Sequence, residues 1–175
     1  MRLRDDGQLK LDGKMLHVAP EPSLARRFRK MFDYLSVDFD GSKAMKAADV
    51  TKLGFPNDTF DAIVCNHVLE HVPQDRWAMS ELFRVLKPGG WASLQVPRTE
   101  LQTDEDSTVV DPQERVRRFG QDDHVRIYGR DYFDRLRQAG FRVTVYRLKD
   151  CMTEDEAKLY VIPIDEEMIF GWKDR

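Results

Sequence analysis

Three short stretches of this chain carry side chains able to move protons or grip polar ligands. The first is Asn66-His67, followed by Glu70 and His71, directly after the apolar run from Phe60 to Cys65. Imidazole titrates near neutrality, so His67 is a candidate general base or substrate orienter. His71, one helical turn on, reads as structural, and Glu70 as solvated or capping. The second stretch runs from His17 to Ser23 and reads H-V-A-P-E-P-S. Its Pro20 and Pro22 fix φ and remove two backbone donors, leaving Glu21 as a carboxylate on a stiff turn. The third is RVRRFGQDDHVRIYGR, with Arg115, Arg117, Arg118, Arg126 and Arg130 around Gln121, Asp123, His124 and Tyr128. Guanidinium forks bind anionic groups, and His124 and Tyr128 could handle protons beside them. The alternative is a solvated basic helix with His124 as a packing residue.

Those residues need elements to position them. Lys14 to Ala19 reads as a first strand, and Ser23 as the N-cap of a helix with Leu24, Phe28 and Phe32 on one face. Tyr34 to Val37 is a second strand ending at Asp38, and Lys46 to Val50 a short third one. Phe60 to Cys65 is an apolar strand of the kind buried in parallel sheets. A helix over Pro73 to Leu86 is expected to bury Trp77, Leu82, Phe83 and Leu86, with Asp75 as a cap. Lys87-Pro88-Gly89-Gly90 ends it, and a strand from Trp91 to Val96 follows. Asp131 to Ala139 is a helix closed by Gly140. Arg142 to Leu148 and Glu167 to Trp172 read as the last strands. Strands alternating with helices predict an α/β doubly wound, Rossmann-like, mostly parallel sheet with helices on both faces, and ligands at the carboxyl ends of its strands.

Bulk properties narrow the class. At 175 residues and a net charge of −3, one domain spanning 1–175 is expected, and bulk charge argues against general nucleic-acid binding. No apolar run reaches membrane-spanning length, and the start MRLRDDGQLKL lacks a signal-peptide core. Two cysteines, Cys65 and Cys151, favour reduced thiols in a cytoplasmic protein. No zinc-ligand spacing is visible, so no metal is expected.

The segment FPNDTFDAIVCNHVLEHV followed by RVLKPGG resembles the central signature of class I S-adenosylmethionine-dependent methyltransferases. The resemblance runs from about Met15 to Gly140. It implies a seven-stranded sheet whose last strand is antiparallel, S-adenosyl-L-methionine as cofactor, and a methyl acceptor beyond the carboxyl end of the fourth strand.

Roles follow from that resemblance. Asp38, with Phe39 beside it, would receive the ribose hydroxyls; the alternative is a surface aspartate opening a turn with Asp40 and Gly41. Asp49 would meet the adenine amino group and the Val50 N–H the adjacent ring nitrogen; the alternative is a turn capped through Thr51. Backbone at Asn66 and His67 would line the methionine end of the cofactor. His17, Ala19, Pro20 and Glu21 stand where the family carries an acidic residue and a glycine-rich turn. His17 holds the acidic position, and Ala19, Glu21 and Ser23 replace glycines. Either Glu21 supplies the lost acid and meets the cofactor's ammonium group, or cofactor binding is weakened.

Two further departures bear on the site. Only thirteen residues precede the first strand, and Asp40 to Lys46 is too short for a crossover helix, so the site is expected to be open or closed by a partner. Residues 98–129 form a long insertion with an acidic, mobile first part. Its second part is expected to lid the acceptor, with His124 and Tyr128 catalytic and Gln121, Asp123 and Arg126 binding substrate. The resulting reading is a methyltransferase acting on a small molecule. The competing readings are a non-catalytic binder of S-adenosyl compounds or of a partner, a nicotinamide-dependent oxidoreductase, and a nucleic-acid methyltransferase. The apolar tail IFGW leaves a homodimer open.

Overall fold

The computed structural model describes residues 9–160 and 163–175. Residues 1–8, read above for the lack of a signal-peptide core, lie outside the described residues, as does the Cys151 side chain. Among the described residues, nine strands form a seven-stranded sheet and a separate two-stranded one. The main sheet holds β1 (Lys14–Val18), β2 (Asp33–Asp38), β3 (Lys46–Ala47), β4 (Phe60–Cys65), β5 (Leu86–Ser93), β8 (Arg142–Arg147) and β9 (Glu167–Trp172). Their order is β3-β2-β1-β4-β5-β9-β8. The first five run parallel, and β9 runs antiparallel to both β5 and β8. This is the sheet the resemblance implied.

Period-two packing divides the core. On one face Leu16, Ile63 and Cys65 meet Ala78, Leu82 and Leu136 from helices α2 (Asp75–Val85) and α4 (Tyr132–Gln138). On the other face Met15, Ala62 and Val64 meet Ala25 of α1 (Pro22–Phe28), together with Phe32 and Trp91. Strands covered on both faces can be apolar throughout, which is why β4 reads as a near-continuous apolar run.

Several expectations change. Glu21, not Ser23, is the N-cap residue of α1, its side chain makes no capping bond, and Pro22 opens the helix. Leu24 and Phe28 are only half-buried, and Ala25 is the buried helix residue. The signature helix is split: a 3₁₀ turn covers Leu69–His71, Val72 is extended, and α2 begins at Asp75. Asp75 is not its cap but a buried ionic residue. Trp77 is 68% exposed, because the buried stripe is Asp75, Ala78, Met79, Leu82 and Val85 and Trp77 falls off its phase. Lys87 to Gly90 do not sit between elements but bulge within β5, where pairing jumps from Phe60–Leu86 to Ala62–Trp91. The IFGW tail, Ile169 to Trp172, is a buried inner strand, so it offers no free face for a dimer.

The insertion is folded. It contains β6 (Asp104–Glu105), α3 (Pro112–Phe119) and β7 (Arg126–Ile127), with β6 and β7 paired antiparallel. Its acidic part is tied to its basic part: Arg118 bonds Asp104 and Asp106, and Arg126 bonds Glu105. After Arg147 come α5 (Leu148–Cys151) and α6 (Glu154–Tyr160).

Candidate functional site

The carboxyl ends of β1, β2 and β4 form one edge of the sheet, and most of the candidate residues lie there. Two non-glycine residues on that edge are held at positive φ: Ala19 after β1, at 48°, and His67 after β4, at 53°. Side chains rarely accept this region, so each marks a constraint imposed by its surroundings. Ala19 N–H donates to Val37 O at 2.8 Å, and His67 N–H to Gln95 O at 2.8 Å, which pins both loops to neighbouring strands. Asn66 helps: its Oδ1 accepts from Ser93 Oγ and from Gln95 N–H. That side chain is therefore a clasp between β4 and β5.

In the first loop His17 and Glu21 are joined. His17 is fully buried, and its Nε2 lies 2.6 Å from Glu21 Oε2 while Nδ1 lies 3.0 Å from the Tyr34 hydroxyl. With Nε2 donating to the carboxylate, Nδ1 accepts from Tyr34. Burial would raise the Glu21 carboxyl. The His17 hydrogen bond, the residue's own N–H and the neighbouring His67 outweigh it and hold the pKa below the usual value. Glu21 is thus an anion at the carboxyl end of β1.

Asp38 and Asp49 stand along the same edge, partly exposed and exposed respectively. Asp38 Oδ1 accepts the Phe39 N–H at 2.8 Å, and the Phe39 ring is 79% exposed. Asp49 Oδ1 caps its own turn, accepting from Thr51 N–H and Oγ1, while Val50 turns into the core. The Thr51 turn does form, so one Asp49 oxygen is committed.

His67 projects outward, its side chain 63% exposed, with Nδ1 3.5 Å from Glu70 Oε1. The hydrogen bond it donates to Glu70 raises its pKa, against a desolvation that would lower it. Glu70 is not solvated as expected but 1% exposed. On its other side are His71, whose ring meets that of His124 at 4.7 Å and 82°, and Asp123, 3.3 Å from His71 Nδ1. The structure thus gathers His67, Glu70, His71, Asp123 and His124, while Gln121 stays exposed on the same loop.

Arg126 and Tyr128 do something else. Arg126 is 3% exposed; its guanidinium donates to the carbonyls of Leu69, Val72 and Pro73, and its Nε to Glu105. No donor fork is left for an anionic substrate. The fully buried Tyr128 donates its hydroxyl to Asp75 at 2.8 Å, and Arg135 binds Asp75 and Glu105 from the far side. Burial pushes the Tyr128 phenol far above its ordinary value, and the Asp75 charge adds to this. It cannot exchange protons near neutrality. The substrate role for Arg126 and the catalytic role for Tyr128 are therefore corrected: both hold the Leu69–Pro73 loop in place. The same burial pushes the Cys65 thiol up, so this free cysteine is inert.

Residues 11–94 match the methyltransferase domain family. A demethylmenaquinone methyltransferase of Streptomyces avermitilis is 50% identical over 46 residues, covering 26% of this chain and 20% of that relative. An S-adenosylmethionine-dependent methyltransferase of Mesorhizobium loti superposes with a TM-score of 0.60 at 13% identity, covering 95% of this chain and 94% of the other. The phosphoethanolamine N-methyltransferase 2 of Haemonchus contortus, solved with S-adenosyl-L-methionine, gives a TM-score of 0.62 at 15% identity. It covers 99% of this chain and 51% of that one. The chain has the class I methyltransferase fold. Its segment from Leu11 to Leu94 is similar to the methyltransferase domain family, and only a fifth of the curated relative's length is matched.

Proposed function

We propose that the protein transfers a methyl group from S-adenosylmethionine to a small-molecule acceptor. The observation that carries this reading is the pair of left-handed residues, Ala19 and His67, at the carboxyl ends of neighbouring parallel strands inside the family-matched segment. Strain of about 1–3 kcal/mol at each persists where a site requires it.

The residues present fit the cofactor. Ala19 takes the left-handed backbone shape that glycine adopts most readily, so the loop turns despite Pro20 and Pro22. Glu21 offers an ionised carboxylate to an ammonium group. Asp38 keeps one oxygen clear of its own backbone for ribose hydroxyls, with Phe39 exposed beside it. Asp49 and Val50 are assigned to the adenine edge. When bound, the cofactor supplies a methyl group on a positively charged sulfur, already activated for displacement. The chain's task is then alignment and, for a protic acceptor, proton removal. His67 takes that proton, and Glu70 steadies the imidazolium.

A small acceptor is supported by the relatives, whose names refer to demethylmenaquinone and phosphoethanolamine. A nucleic-acid acceptor is disfavoured: Arg117, Arg118 and Arg126 of the basic run are already paired with carboxylates. Residues 98–129 cover the acceptor side as a lid, with Gln121 at its exposed turn. A cytoplasmic setting belongs to this reading and is supported by the free, buried Cys65. Among the described residues no helix is long and apolar enough to cross a membrane.

Calorimetry with S-adenosylhomocysteine tests the proposal. Wild type should bind one equivalent, and Glu21→Gln should bind about tenfold more weakly, the loss of one charge-assisted contact. No binding by wild type would favour a non-catalytic protein that binds only a partner, a reading that rests on the two backbone donors lost to Pro20 and Pro22.

A further inference from the structure

Glu70 is the least satisfied polar residue of the site. It is 1% exposed, and its Oε2 has no hydrogen-bond partner. A carboxylate oxygen stripped of water and left unpaired is costly, and such a residue persists where something else meets it. One ligand-capable atom from each of Glu70, His71 and His124 lies within 4.8 Å of the other two. Around a tetrahedral zinc, with bonds of about 2.0–2.1 Å, ligand atoms sit about 3.3 Å apart, so small side-chain rotations close the group.

The two histidines are prepared as ligands by their other ring nitrogens. His124 is 2% exposed, and its Nδ1 lies 2.9 Å from the Phe119 carbonyl. A carbonyl only accepts, so Nδ1 carries the proton and Nε2 keeps its lone pair. His71 Nδ1 lies 3.3 Å from Asp123 Oδ2, which favours the same tautomer. An outward carbonyl or carboxylate on one ring nitrogen, with the other free, is the arrangement that orients metal-binding imidazoles. The backbone is held as well: Arg126 fixes the Leu69–Pro73 loop, and Val125 N–H donates to Glu70 O at 3.0 Å.

We propose that Glu70, His71 and His124 bind a divalent transition metal of the zinc class through three protein ligands, leaving a further position open. Two imidazoles and one carboxylate suit zinc, cobalt, nickel or ferrous iron, and suit magnesium and calcium poorly. The partly exposed His71 gives the open position access to solvent, and Glu70 joins it to His67 on the acceptor side. The site was hidden in the sequence because its ligands come from the signature loop and from the insertion. It goes beyond methyl transfer and does not depend on it, since metal is assayed directly.

The test uses full-length protein stripped with a chelator and titrated with Zn²⁺ and Co²⁺. Wild type should take up one metal per chain, raise its Tm, and with Co²⁺ show visible d–d absorption of nitrogen–oxygen coordination. His71→Ala sits at the rim and should keep the metal-free Tm of wild type, yet bind at least about 100-fold more weakly, beyond what loss of an outer partner costs. Asp123→Asn should lose about 10- to 100-fold, as outer partners do. Unchanged affinity in His71→Ala, or no stoichiometric uptake by wild type, would overturn the assignment.

Discussion

Replacing Arg126 by methionine tests whether the insertion is anchored as described. Methionine keeps much of the aliphatic bulk and removes the fork. Four hydrogen bonds go: to Leu69 O, Val72 O, Pro73 O and Glu105. Charge-assisted bonds contribute about 1.5–3 kcal/mol each, but not all of that is lost. Pro73 is exposed and Val72 half-buried, so water can replace the donor there. Leu69 O keeps Tyr128 at 3.3 Å, and Asp75 and Glu105 keep Arg135. The expected loss is therefore about 2–4 kcal/mol, short of the roughly 3–5 seen when a buried charge is wholly stripped of its partner. Urea denaturation reads it as a lower midpoint at constant slope. Hydrogen exchange at the Val125 amide, bonded to Glu70 O, should quicken in parallel. Arg126→Lys should recover less than half, because an ammonium cannot span three carbonyls and a carboxylate together. A loss under about 1 kcal/mol in Arg126→Met would refute the anchoring.

Three further outcomes are expected. Ala19→Gly should raise stability by about 0.5–1 kcal/mol by relieving the left-handed backbone, and Ala19→Val should lower it; a destabilised glycine variant would show that the loop is not strained. Met79→Ala should cost about 2–5 kcal/mol whereas Trp77→Gln stays within about 0.5, both read by thermal or chemical unfolding; the reverse order would mean the α2 phase is wrong. The Arg135 hydrogen bond, joined by that from Arg126, holds the Glu105 carboxyl below its usual 4.5. A depressed folded-state pKa gives stability that is present above pH 4.5 and lost as pH falls through the lowered value. Stability measured by denaturation across that acid range should therefore fall less steeply for Glu105→Gln as pH drops, and parallel curves would count against the pairing.

How much could be read in advance differed by element. β4 and β9 were legible residue for residue, because Phe60–Cys65 and Glu167–Trp172 are short apolar runs between polar turns. The phase of α2 was misread: tryptophan's hydrophobicity drew Trp77 inward, although the 3.6-residue stripe from Asp75 runs through Ala78, Met79 and Leu82. Asp49 capping through Thr51 was visible because it is local. Glu70 was not, since its burial is imposed by a loop that arrives from the insertion. The basic run misled for a related reason. Arginine types are evident in sequence, but their partners Glu105, Asp104 and the Leu69–Pro73 carbonyls are not, and a paired arginine has nothing left for a ligand.

The grip of Arg126 on the Leu69–Pro73 carbonyls also constrains the order in which the chain assembles. The signature loop reaches its final shape only once residues more than fifty positions later are in place. Such a closure between distant segments belongs late on the folding route. A trimmed version of this domain, cut down to the family-matched core, would accordingly lack the keystone of its own signature loop rather than a dispensable cover.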